Sequence, residues 1–126
     1  PAGNHTTPRD HMNEIKHTPG PWHIAGSGLS RYIEGRVRPG VLQEVAWCGA
    51  TEVPGQMEAN AHLIASAPDM ALALEMIAAE DDAARHNGTP LLTSGVRMTL
   101  DAALIKAGRK EVPVPVRHVR ICGEGL

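Results

Sequence analysis

Glu58-Ala59-Asn60-Ala61-His62-Leu63-Ile64-Ala65-Ser66-Ala67-Pro68-Asp69-Met70, near the middle of a 126-residue chain, reads as a helix that stops and restarts at one proline. Met57, Ala61 and Ile64 recur at helical spacing and form one apolar stripe, with Leu63 beside it. A first helix is therefore expected over residues 56–65. Pro68 has no N–H for the helical ladder, and its ring clashes with the preceding turn, so that helix cannot run through it. Ser66 offers an N-cap to a new segment. Pro68 and Asp69 then fall in a first turn that tolerates a missing donor and favours negative charge. The second helix is expected to reach about residue 85. Its buried stripe would be Met70, Ala73, Leu74 and Ile77, widened by Leu72 and Met76, with Glu75, Glu80 and Asp82 in water.

The preceding sequence changes period from 3.6 to 2. His17-Thr18-Pro19-Gly20-Pro21-Trp22 can be neither helix nor central strand and reads as a fixed turn delivering Trp22 into a short strand. Gly26-Ser27-Gly28 is a turn, and Arg31-Tyr32-Ile33-Glu34 alternates polar with apolar. Pro39-Gly40 suits the centre of a type II turn. In Val41–Cys48, strict alternation puts Val41, Gln43, Val45 and Trp47 on one face and Leu42, Glu44, Ala46 and Cys48 on the other. Residues 22–48 are thus expected to form an antiparallel meander of about three strands.

Downstream, His86-Asn87-Gly88-Thr89-Pro90 ends the long helix. A last helix follows over about residues 95–107, with Ser94 as N-cap and Val96, Leu100, Ala103, Leu104 and Ala107 as its stripe. From Lys110 to Ile121, valines alternate with Pro113 and Pro115, the pattern of an edge strand or exchanged arm. The expected fold is α+β: a small antiparallel sheet, a helical hairpin and an extended C-terminal arm. Residues 12–126 would form one domain, with helices over 56–85, broken near 66–68, and over 95–107. Residues 1–11 lack apolar periodicity and read as a tag or disordered extension.

The chain has no Phe, and its aromatics are Trp22, Tyr32 and Trp47. An alanine-diluted core of this size buries little area per residue, so a homo-oligomer is expected to supply the missing burial. Net charge is −2, which argues against a long nucleic acid as partner. The charge is segregated: residues 58–84 hold six acids and no Lys or Arg, whereas Arg31, Arg36 and Arg38 cluster upstream and Arg97 to Arg120 holds six basic residues. Cys48 and Cys122 make no disulfide framework, and no apolar run approaches the ~18 residues of a membrane span. A location in the cytoplasm is expected, with no membrane partner.

The seven histidines show neither His-Glu-x-x-His nor zinc-finger spacing, so no metal site is expected. Cys48 ends an apolar strand, and neither Ser66 nor Ser94 sits in a nucleophile elbow. Glu80, Asp81 and Asp82 point in different directions around a helix. Glu58 and His62, four apart, are the best acid–base pair in the chain and read as a helix-surface ion pair. Nothing here assembles a catalytic group or calls for a cofactor, and binding is expected in place of catalysis. For a compact anionic ligand, Arg36 and Arg109 are candidates to hold phosphate and Trp47 to stack. Asn60, an amide between two alanines, is the candidate to read a polar edge.

His17-Thr18-Pro19-Gly20-Pro21-Trp22 together with the Glu58–Met70 phrase resembles a widespread group of small phage and prophage proteins. These begin with Thr-Pro-Gly-Pro-Trp and continue through short strands to a Glu-Ala-Asn-Ala-x-Leu-Ile-Ala-x-Ala-Pro helix. The resemblance covers most of residues 17–80. His62 departs from it, standing where the group has a basic residue, and so does a longer connection before the last helix. The resemblance implies a phage accessory protein acting in the host cytoplasm. In outline the layout is also similar to the Thoeris anti-defence sponges, which implies sequestration of a small anionic nucleotide-like signal. The alternative is a module that inhibits a host or phage protein through its helical face or C-terminal arm.

Overall fold

A computed structural model describes residues 15–114 of the chain. The expected N-terminal extension and most of the C-terminal arm, with Cys122, lie outside the described residues. The elements are β1 (Trp22–Ala25), β2 (Arg31–Arg38), β3 (Val41–Cys48), α1 (Gln56–Ala65), α2 (Ala67–His86) and α3 (Ser94–Lys106). The strands form one antiparallel sheet in the order β1-β2-β3. The fold is α+β, as expected.

Alternation in β3 is broken. Ile33 pairs with Ala46 and Glu34 with Glu44, so Val45 is an extra residue in a bulge. Ala46 and Cys48 therefore share the inner face with Ile33 and Ile24, while Trp47 lies opposite Tyr32 on the outer face. Val45 packs against the core instead of sharing a face with Trp47. Both readings of strict alternation are corrected by this one residue.

α1 lies on the inner face. Met57 and Ala61 join Ile33 and Cys48 in the main core, with Ile64 packed beside them, so the stripe read from the sequence is the buried one. Ile33 has no exposed surface, and its burial contributes about 2 kcal/mol. The break at Pro68 bends α1 against α2 by 48°. Ser66 does not cap α2: its backbone is helical, and its hydroxyl donates to the Leu63 carbonyl at 3.0 Å. The cap of α3 is Thr93, one residue before Ser94, whose Oγ1 accepts from the Val96 N–H at 3.3 Å.

The buried face of α2 differs from the expected one. Ala71, Ala78 and Asp81 are buried with Leu74 beside them, whereas Met70, Leu72, Met76 and Ile77 are exposed. Ala78 packs against Leu100 and Leu104 of α3. Small side chains at this seam let the helices approach closely, which turns the bulky residues outward. Asp81 fixes the hairpin. Its Oδ1 accepts from the Leu91 and Leu92 backbone N–H groups, and its Oδ2 from Arg85 Nε and Arg97 Nη1, all between 2.7 and 3.0 Å.

Candidate functional site

The two motifs of the phage resemblance meet in space. The Trp22 indole N–H donates to the Thr18 carbonyl at 2.9 Å, which closes the Pro-Gly-Pro turn on itself. Gly35 of β2 lies directly beneath: a Cβ there would come within 2.8 Å of Thr18 Cγ2 and 3.0 Å of Trp22 Cδ1. The turn then rests on buried Pro68, whose Cβ is 3.0 Å from where a Gly20 side chain would begin. The Gly20–Pro21 bond is cis. This unit joins the sheet to the start of α2.

Arg109 completes it. After α3, the Gly108 and Arg109 N–H groups bond back to the Ile105 and Leu104 carbonyls, a Schellman closure that sends Arg109 inward. Its guanidinium pairs with Glu75 of α2 and donates from Nη2 to His17 Nε2 at 3.0 Å. His17 Nδ1 donates to the Thr18 carbonyl at 2.7 Å, so Nε2 is the lone-pair nitrogen that faces the arginine. The Arg109 side chain is only 8% exposed, and its Nε is buried without a partner among the described residues. Arg109 thus sits in a hollow with His17, Pro19, Pro21, Pro68 and Glu75, with its charge already met.

Trp47 and Asn60 come together elsewhere. Beyond the end of β3, an edge strand, an open hollow of about 540 Å³ is lined by Trp47, Cys48, Gly49, Asn60, Leu63 and Ile64, with Ala50 and Thr51 at its rim. The Trp47 ring lies over Gly49: a Cβ there would be 2.7 Å from Trp47 Cη2. Trp47 is 60% exposed. Asn60 is exposed at the flank of the buried stripe of α1, one turn from Met57 and from Ile64. No described residue hydrogen-bonds its amide. Arg36 is exposed at the far end of the sheet, opposite Leu42.

Of the four candidates, the structure thus brings Trp47 and Asn60 together and places Arg36 and Arg109 apart from them and from each other. Glu58 pairs with Arg31 at 3.1 Å and not with His62, which is exposed. Among the described residues, no three His, Cys, Asp or Glu side chains converge as metal ligands.

The strongest electrostatic cluster is Asp81 with Arg85 and Arg97, which the sequence reading does not single out. The hydrogen bond from Arg85 outweighs burial and, with those from Arg97, Leu92 and Leu91, holds the Asp81 carboxyl well below the usual carboxylate range. Arg97 is raised by Asp82, Asp81 and Asp101. Burial pushes Asp101 up, and hydrogen bonds from Arg97 and Lys110 more than reverse it. The sequence did carry a signal: residues 71, 74, 78 and 81 continue one helical stripe, with Arg85 one turn beyond its acid. This cluster braces the hairpin and faces no hollow that holds the other candidates.

These features define an α+β fold with an aromatic-and-amide hollow lined by β3 and α1 and a helical hairpin braced by Asp81. A family model described as Salmonella phage P22 protein Y8K6 matches residues 12–111, and the chain belongs to that phage protein family. No curated protein and no solved structure matches the chain. No single described helix is long and apolar enough to cross a membrane.

Proposed function

We propose that this phage protein is a non-enzymatic accessory factor that sequesters a small anionic nucleotide-like signal and so blunts a host defence. One observation carries the reading: Trp47 and Asn60, from different elements, line one hollow and leave open to solvent an aromatic ring and an amide that no described residue bonds. A stacking surface, a paired donor and acceptor, and apolar walls are what a small planar ligand needs. The best acid–base pair of the sequence is divided, with Glu58 bound to Arg31, which supports holding a ligand over transforming it. The test is to incubate the purified protein with a panel of nucleotide signals, remove free ligand, and heat. Release of intact nucleotide is expected. An altered product would make the protein an enzyme, and an empty eluate would end the sequestration reading.

A second reading rests on the hairpin. Met76, Ile77, Leu91 and Val96 are each 46–63% exposed. Ile77 and Val96 line an apolar groove of about 510 Å³ with Leu74 of α2 and Leu100 and Ala103 of α3, and Met76 and Leu91 line a second hollow that shares Ile77. Contiguous apolar surface of this kind marks protein contacts. With so small a core beneath it, a second copy of the chain is the proposed occupant. Light scattering should report at least twice the 13.4 kDa chain mass; a monomer refutes self-association and returns the face to a host or phage protein.

A further inference from the structure

We infer that the Trp47–Asn60 hollow recognises the uncharged base of a nucleotide and leaves its phosphates outside. The inference rests on the binding reading above and names what the site reads.

The lining decides between base and phosphate. None of the residues around the hollow is charged, whereas phosphate recognition relies on charge-assisted donors. The nearby cation is already used. Arg31, paired across the sheet with Cys48, bonds Glu58 and the Gly28 and Ser30 carbonyls. Arg85 and Arg97 are held by Asp81, and Arg109 by Glu75. Arg36 is exposed, but it lies four residues along β2 from Tyr32, the partner of Trp47. At ~3.3 Å per strand residue that is roughly 13 Å away.

What remains suits a heterocycle. Trp47 is an exposed ring whose position is set by its seat on the Gly49 backbone. Base stacking on such a ring tolerates every base, because each has a π-face. The Asn60 carboxamide presents one acceptor and two donors on a short arm. That pattern complements the adjacent donor and acceptor on the edge of a nucleobase. Leu63 and Ile64 supply apolar wall. The volume of about 540 Å³ is within the usual range for a small-molecule site. Its open side lets sugar and phosphate project into water.

The experiment is a tryptophan-fluorescence titration of the full chain. The probes are the four common ribonucleosides, their 5′-monophosphates and inorganic pyrophosphate. Trp22 is hydrogen-bonded within the turn and gives a constant background, so the response reports Trp47. At least one nucleoside should bind, and its monophosphate should bind within about threefold of it. Raising salt from 50 to 300 mM should change neither, since no phosphate–cation contact is made. Trp47→Ala removes the reporter, so this variant is read by equilibrium dialysis, where binding of the nucleoside should be lost. Asn60→Ala and Asn60→Asp should each weaken binding about tenfold, the second because it keeps the acceptor and loses the donor. Both positions are exposed, so the variants should melt with the parent. Binding of monophosphates without nucleosides, or of pyrophosphate, or a steep salt dependence would overturn base recognition and leave the binding reading standing. If no nucleoside or nucleotide binds, both fall together.

Discussion

Replacing Arg97 with alanine should unfold the helical hairpin more readily than any exposed substitution. The guanidinium donates from Nη1 to Asp81 at 2.8 Å, to Asp82 at 2.7 Å and to the Ala78 carbonyl at 3.4 Å, and from Nε to Asp101 at 3.0 Å. These acids do not lose equally. Asp82 is 65% exposed and rehydrates, and Asp101 keeps Lys110 at 3.1 Å. Asp81 has no exposed surface and, among the described residues, would keep Arg85 as its one charged partner. Breaking a buried ion pair from one side costs 3–5 kcal/mol. The surviving Arg85 and backbone bonds place Arg97→Ala at about 3 kcal/mol, or roughly 12–18 °C in melting temperature for a domain of this size.

The assay is thermal and urea unfolding by circular dichroism, repeated from pH 7 to pH 3. Because the folded Asp81 carboxyl is held below its ordinary value of 3.8, its contribution is complete above that value and is lost as pH falls below it. The gap between parent and variant should therefore be constant from pH 7 to about 5 and shrink below about pH 4. A variant that melts within 4 °C of the parent at pH 7, or a gap that widens in acid, would refute the account of Asp81 as the brace.

Two further substitutions separate the surfaces. Gly49→Ala puts a Cβ 2.7 Å from Trp47 Cη2, so the ring should leave its seat. Near-UV circular dichroism should change and nucleoside binding should drop at least tenfold, while the melt moves by less than about 1 kcal/mol; unchanged binding would show that the ring position does not matter. Ile77→Glu, on a residue 46% exposed, should convert an oligomer to a monomer in light scattering without lowering helicity. Retention of the oligomer would place the subunit contact elsewhere.

Much of the fold was legible because its signals are local. Pro68 broke the helix, Pro39-Gly40 turned the hairpin, and Met57, Ala61 and Ile64 repeated at the helical period. What was not legible depended on partners distant in the chain. On α2, hydrophobicity favoured Met70, Leu72, Met76 and Ile77 as the core. The seam instead uses Ala71 and Ala78, because packing against Leu100 and Leu104 selects small residues over greasy ones. Val45 showed no feature of a bulge, since two partly buried neighbours in a row look the same as an error in alternation. Arg109, in a basic segment, reads as a candidate to hold phosphate. Its surroundings come from Glu75, 34 positions away, and His17, 92 positions away. Asn60 and Trp47 could be proposed as residue types, but their shared hollow depends on how α1 crosses the end of β3.

The division of labour within Glu58–Met70 follows from that geometry. Ala61 has no exposed surface, so any larger residue would lift α1 from the sheet, and an alanine at this place is required by packing. Glu58 is tied to Arg31 across the sheet edge, and Pro68 receives the Pro-Gly-Pro turn. Each of these has a structural partner that accounts for it. Asn60 has none among the described residues, yet it occupies the same rigid helix, one position from the most buried residue in it. A helix anchored so closely along one stripe holds the residues flanking that stripe in a fixed place. The amide is therefore held in the hollow it shares with Trp47 at low entropic cost, with no described residue bonding its donor or acceptor. A polar group that is rigid, exposed and unbonded contributes little to stability, and its use is sought in what it can hold.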